Sequence, residues 1–241
     1  MVTVIRSRFH STFAIVIAAF IAAAFVRTFY LRFLFDLPPL SVLMHVHGFV
    51  FTAWLGLFVV QTYLVSAHRV DLHMKLGIAG AVLAALIVAL GLATVAASAA
   101  VPRVRASGFS SAQASIIALT SIVSFAALIT LGLAFRRRAS LHKRFMMLAM
   151  IAILGPAVAR LVKLIGGAGS HPMLVQVSVI AVFVAVCMIH DWRRHRVVHP
   201  VFAVGGAVLM LLWPFRFAVA PSAWWEPIGT WIAEMGTFLV S

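Results

Sequence analysis

Seven long apolar segments, separated by short polar runs, dominate the sequence. A helix needs about 20 mostly apolar residues to cross the hydrocarbon core of a bilayer, and each segment is about that length or longer. We place the spans at about 11–35, 40–67, 73–99, 111–135, 141–165, 172–190 and 200–220. The pattern predicts an all-α polytopic transmembrane helix bundle that forms a single domain over residues 1–241.

The composition excludes a water-soluble fold. Hydrophobic residues make up 64% of the chain and charged residues only 10%, whereas soluble domains carry about 25% charged residues. The first segment follows a basic start, as a signal peptide would, but its apolar stretch is too long for one. We therefore expect it to be retained as the first helix.

The segment boundaries have physical causes. Pro38 and Pro39 stop the first helix and can open the second. The tail, residues 222–241, carries Trp224, Trp225 and Trp231, and tryptophan prefers the headgroup level of a membrane. We expect this tail to form an interfacial helix rather than another span.

The positive charges predict an orientation. The formal charge of +14 does not indicate nucleic-acid binding, because no basic run lies outside the short loops and no nucleic-acid motif is present. Twelve of the 19 lysines and arginines fall on the side of the N-terminus. We expect a bacterial inner-membrane protein with a cytoplasmic N-terminus and a periplasmic C-terminus, whose loop cations contact anionic lipids.

One group of candidate site residues lies on the side away from the N-terminus. His45 and His47 stand near the start of the second segment, and Arg27, Arg160 and Arg216 fall at similar depth. The arginines form a layer that attracts an anion: lipid phosphate, a carboxylated substrate or haem propionates. His47, or else His45, is a candidate axial haem ligand. The alternative is that one histidine reaches the interface and the other hydrogen-bonds within the bundle.

A second group lies on the N-terminal side. His73, His142 and His199 each stand in or beside the first turn of a segment, with Asp191 and Asp71 as the nearest acids. Imidazole and carboxylate ligands suit zinc or iron. The same positions are also typical of ordinary side chains at a headgroup boundary, so both interpretations stand. Histidines that reach the hydrocarbon are costly, which makes them functional candidates.

Other chemistry is not indicated. The sequence has no GxSxG, HExxH, P-loop or Rossmann motif. The seventh segment has no lysine for a retinal Schiff base, and its one histidine, His199, lacks the partner that seven-helix zinc hydrolases use. The single cysteine, Cys187, excludes an intramolecular disulfide. Trp54 and Gln61 are unusual inside an apolar segment, and interhelical hydrogen bonding is their simplest explanation.

The chain resembles a widespread family of uncharacterised bacterial seven-helix membrane proteins. The resemblance rests on the motifs MHVHG, DLHMKLG, LHKRFM and RVVHP. Its residues here are His45, His47, Trp54, Gln61, Asp71, His73, His142, Lys143, Arg144, Arg160, His199 and Pro200. The resemblance implies a single fold over nearly the whole chain, and it transfers no activity to it. A looser likeness to membrane b-type cytochromes implies haem between paired histidines, yet His47 has only His171 as a partner on its side.

Two functions follow as hypotheses. The first is a membrane protein that binds haem b or a transition metal through its histidines and acts in electron transfer or membrane redox chemistry. The second is a non-catalytic accessory subunit of a larger membrane complex. A transporter is less favoured, because no acidic residue lies mid-helix.

Overall fold

The computed structural model describes residues 8–102, 108–164 and 172–239. His171, the one partner considered for His47, lies outside them. The described residues form nine α-helices: α1 Phe9–Phe25, α2 Val42–Ser66, α3 Val70–Ala100, α4 Ser111–Ala134, α5 Ala139–Ala152, α6 Gly155–Leu164, α7 Pro172–His195, α8 Pro200–Val219 and α9 Glu226–Thr237. A π-helical turn and a 3-10 turn extend α1 to Leu34.

The described helices confirm a polytopic bundle. Six are long and apolar enough to cross a membrane, and the bent pair α5–α6 gives a seventh if it counts as one span. Contacts at both ends show that the pair runs the length of the bundle. At the end where α1 begins, the N face, Arg144 of α5 pairs with Asp191 of α7. At the opposite end, the far face, Arg160 of α6 contacts Thr28 beyond α1.

The fifth segment differs from the expected continuous helix. It consists of two helices, α5 and α6, that meet at an angle of 41°. Pro156 stands in the first turn of α6. Its ring would collide with the carbonyl of Ala152, and it has no N–H to donate, so one helix cannot run through this point. The bend gives α6 its own direction toward the end of α1.

The outer surface of the bundle is apolar, as a lipid-facing surface must be. Phe33, Ile78 and Leu211 are among the large apolar side chains that remain exposed. The most buried part of the bundle is the second half of α5 and its junction with α6, where every residue from Met147 to Leu154 is buried. The chain is therefore a multi-pass membrane protein with α5 near its centre.

The C-terminal tail forms a short separate helix, as expected. α9 has 12 residues, about 18 Å of helix, which is too short to cross a bilayer. It packs on α3 and α4 through Ile232 and two glycines, while Trp224 and Trp231 stay exposed.

Candidate functional site

Two histidines from different helices face each other at the N face. His73 stands in the first turn of α3 and His142 in the first turn of α5. Their ring centroids are 6.2 Å apart, edge to face. The Nδ1 of His142 lies 2.8 Å from the backbone carbonyl of Gly132. A carbonyl only accepts, so Nδ1 carries a proton, and in the neutral imidazole Nε2 is then the acceptor.

Gln61 of α2 adds a third polar group to this pair. The backbone of Gln61 lies beside the ring of His73. The Nδ1 of His73 and the Oε1 of Gln61 are both buried without a hydrogen-bond partner among the described residues. Leaving such an atom unpaired costs about 1–3 kcal/mol. Two buried polar atoms from different helices thus lack a described partner beside the histidine pair.

The polar groups of α2 lie on one face of the helix. His47, Trp54 and Gln61 are spaced seven residues apart, which is about two turns. Trp54 donates its indole N–H to the sulfur of Met150 at 3.2 Å. The Nδ1 of His47 is buried without a partner in the described part of the chain. This face of α2 therefore carries polar side chains from near the far face to the histidine pair.

The other two predicted metal ligands, Asp191 and His199, form an ion pair and a helix cap instead. The carboxylate of Asp191 accepts from Nε and Nη2 of Arg144 at 2.8 Å and 2.7 Å, and both side chains are buried. It also accepts the backbone N–H of His199 at 3.3 Å. The Nδ1 of His199 accepts the N–H of Val201 and so caps α8. Among the described residues, no three His, Cys, Asp or Glu side chains form a group suited to a metal ion.

A basic pocket opens beside this ion pair at the N face. Its volume is about 370 Å³, and its lining residues are Ala139, Ser140, Lys143, Arg144, His195, Val197 and His199. The Arg144 guanidinium also donates to the carbonyl and hydroxyl of Ser140. The lining cations make the pocket attractive to anions.

Comparisons with protein-family models, with curated proteins and with solved structures find no match to this chain.

The predicted far-face group is only partly brought together. Arg160 is the cation whose charge acts on His47. His45 is exposed, and its ring contacts the carbonyl of Ser41. Arg27 is also exposed and lies over the ring of Phe35. Of the predicted group, only His47 and Arg160 lie close enough for the charge of one to act on the other.

Arg216 lies apart from that pair. It is buried and stacks on Trp213, with the guanidinium carbon 5.1 Å from the ring centroid.

Sequence reasoning missed the ion pair and undervalued Gln61. Arg144 lies in a cationic run that indicates a solvated loop, and Asp191 is 47 residues away, so only the fold joins them. Gln61 did give a signal, because an amide inside an apolar segment must find a polar neighbour.

The His199 cap predicts a pH dependence of stability. Burial, assisted by the charge of Arg144, lowers the pKa of His199 below 6.5. The unfolded chain therefore takes up the proton more readily than the folded chain. The stabilisation is complete above pH 6.5 and is lost as the pH falls through the folded pKa. The other charged groups that act on His199 are Asp191, Lys143 and His195.

The variant His199→Asn tests this dependence, because asparagine caps helices without titrating. We expect the wild-type protein to lose about 1 kcal/mol more stability than His199→Asn between pH 7 and pH 5. Thermal unfolding in detergent across this range measures the difference. Parallel pH profiles for the two proteins would show that the cap does not titrate.

Proposed function

We propose that this membrane protein holds a transition metal, as a bare ion or as haem iron, between α2, α3 and α5 and acts in membrane redox chemistry. Its ligands would be His73 and His142, with the side chain of Gln61 beside them. We further propose that the N face is cytoplasmic, that the membrane is a bacterial inner membrane, and that the chain belongs to the family it resembles.

The proposal rests on the facing imidazoles of His73 and His142. Two imidazoles that bind one ion have ring centroids about 5–6 Å apart, because metal–nitrogen distances are about 2.0–2.1 Å. The observed 6.2 Å is close to this range. The Oε1 of Gln61 is an acceptor, and the Nδ1 of His73 accepts in the tautomer that is protonated at Nε2, so both unpaired atoms suit a cation.

The contact between His142 and Gly132 supports the same role. Histidines that bind metals usually donate their other ring N–H to a carbonyl or carboxylate, which fixes the tautomer and the ring orientation. The hydrogen bond from Nδ1 of His142 to the Gly132 carbonyl has this form. Two imidazoles and an amide oxygen leave coordination positions open for water or a further ligand, as redox and catalytic centres require.

Metal analysis and absorption spectroscopy test the proposal. We expect the protein, purified in mild detergent, to carry about one iron, copper or other transition-metal ion per chain. In His73→Ala and in His142→Ala the content should fall to near background. The matched control is His45→Ala, because His45 is exposed at the other end of the bundle and its loss should leave the metal in place.

The spectrum distinguishes the two forms of the metal. A Soret band that shifts on reduction and disappears in His142→Ala indicates haem iron, and a colourless protein with bound metal indicates a bare ion. A colourless protein without metal would overturn the proposal and favour the accessory subunit. A Soret band lost in His47→Ala but kept in His142→Ala would overturn the site.

A further inference from the structure

The guanidinium of Arg216 is a buried charge without a counter-charge in the described part of the chain. Arg216 is only 2% exposed. The five acidic residues of the chain all lie in its described part, and none forms a salt bridge with Arg216. Its Nε is buried without a hydrogen-bond partner among the described residues. Its one described side-chain contact of electrostatic character is the ring of Trp213.

The other two arginines inside the bundle are satisfied by the protein itself. Arg144 is paired with Asp191 and donates to Ser140. Arg160 donates to the Thr28 hydroxyl and the Pro156 carbonyl, and it lies 4.2 Å from the centroid of the Phe25 ring. Arg216 is therefore an exception to the pattern that this chain follows elsewhere.

A buried guanidinium needs an anion more than other buried groups do. Arginine stays charged under all ordinary conditions, so it cannot escape the cost of burial by losing its proton. A buried charge without a partner is strongly destabilising, and a cation–π contact offsets only part of that cost. The described residues offer no such partner, and any ligand that supplies it must offer acceptor oxygens.

The position of Arg216 indicates which anion is within reach. It lies one turn before the end of α8 at Val219, at the far face. Trp225, just beyond that end, also has a buried indole N–H without a described partner. Tryptophans mark the headgroup level of a membrane, where lipid phosphates lie. Arg216 and Trp225 both have N–H donors without a described partner at this level. A ligand that fits them must accept hydrogen bonds and offer no donors of its own.

We propose that Arg216 binds a phosphate group at the far face, supplied by an acidic phospholipid headgroup or by a soluble phosphate ester. Arg216 provides the charge and the bidentate donor edge that suits phosphate. Trp225 provides a further donor at the same end of the bundle. This site is independent of the histidine pair, so either can fail without the other.

The stability of the full-length protein with and without phosphate tests the site. We expect phosphatidylglycerol, added to the wild-type protein in neutral detergent, to raise Tm by about 5 °C. In Arg216→Met most of this rise should disappear. Without phosphate, the variant should be at least as stable as the wild type, because it no longer buries an unpaired charge.

Arg27→Met is the matched control. Arg27 is an exposed arginine of the same face, so this variant removes the same charge without touching the site, and the rise in Tm should persist. If inorganic phosphate reproduces the effect, the ligand is a soluble phosphate; if only phosphatidylglycerol does, it is a lipid.

Two results would overturn the inference. One is an equal rise in Tm for Arg216→Met and the wild type. The other is a large loss of stability in Arg216→Met without phosphate, which would mean that the guanidinium already has its partner within the protein. Native mass spectrometry of the wild type gives a second readout that needs no variant: a retained phospholipid or phosphate is expected, and a ligand-free protein contradicts the site.

Discussion

Replacing Asp191 with alanine is expected to destabilise the protein by about 3–5 kcal/mol, the usual cost of breaking a buried ion pair. Asp191 and Arg144 expose only 4% of their side chains. Without Asp191 the guanidinium of Arg144 stays charged inside the bundle, and the backbone N–H of His199 loses its acceptor. Unfolding in mixed micelles with increasing SDS measures the loss.

A second ion pair provides the matched control. Arg69 and Asp71 are 3.8 Å apart, with side chains 58% and 61% exposed. Asp71→Ala should therefore cost less than about 1 kcal/mol, as exposed pairs do. Equal losses in Asp71→Ala and Asp191→Ala would contradict the interpretation of Arg144–Asp191 as a buried, structural pair.

A double variant separates the charge from the packing. The combination Arg144→Met and Asp191→Leu removes both charges and keeps apolar volume at both positions. It should recover most of the stability that Asp191→Ala loses, because the main cost is the charge left alone. If the double variant is as unstable as the single one, the hydrogen bonds to Ser140 and His199 carry the effect instead.

The sequence was enough to predict the spans because hydrophobic length is a local property. The fourth predicted span, 111–135, matches α4 at Ser111–Ala134, and the second, 40–67, contains α2. The bend between α5 and α6 was missed, although its cause, Pro156, is visible in the sequence. Proline alone does not settle the matter, since Pro214 lies inside α8 without breaking it.

The candidate site was less predictable because it depends on which helices meet. His73, His142, His199 and Asp191 all fall at one end of the bundle, and the sequence gives no means of pairing them. The structure separates them into two pairs: His73 with His142, and Asp191 with His199. Likewise, Arg216, Arg27 and Arg160 were grouped only by their expected depth in the membrane. Their side-chain burial and their contacts in the structure distinguish the three.

The second large effect is expected where α9 packs on α3 and α4, because two glycines of α9 lie against backbone atoms there. A Cβ on Gly236 would overlap the backbone carbonyl of Ala96 on α3, and one on Gly229 would meet the carbonyl of Ala112 on α4. Backbone atoms cannot rotate away as side chains do. Gly236→Ala should therefore push α9 off α3, at a cost of about 2–3 kcal/mol or more.

A cysteine reporter measures this undocking. Ile232 of α9 is 9% exposed, and the native Cys187 is buried. In the background Ile232→Cys, Gly236→Ala should raise the rate of maleimide labelling by at least about tenfold, since about 1.4 kcal/mol is a factor of ten in population. Gly77→Ala is the control, because a Cβ there meets nothing within 4 Å, and alanine favours the helix. Slow labelling in both variants would mean that α9 tolerates the added methyl group, and that its contact with α3 is looser than the position of Gly236 indicates.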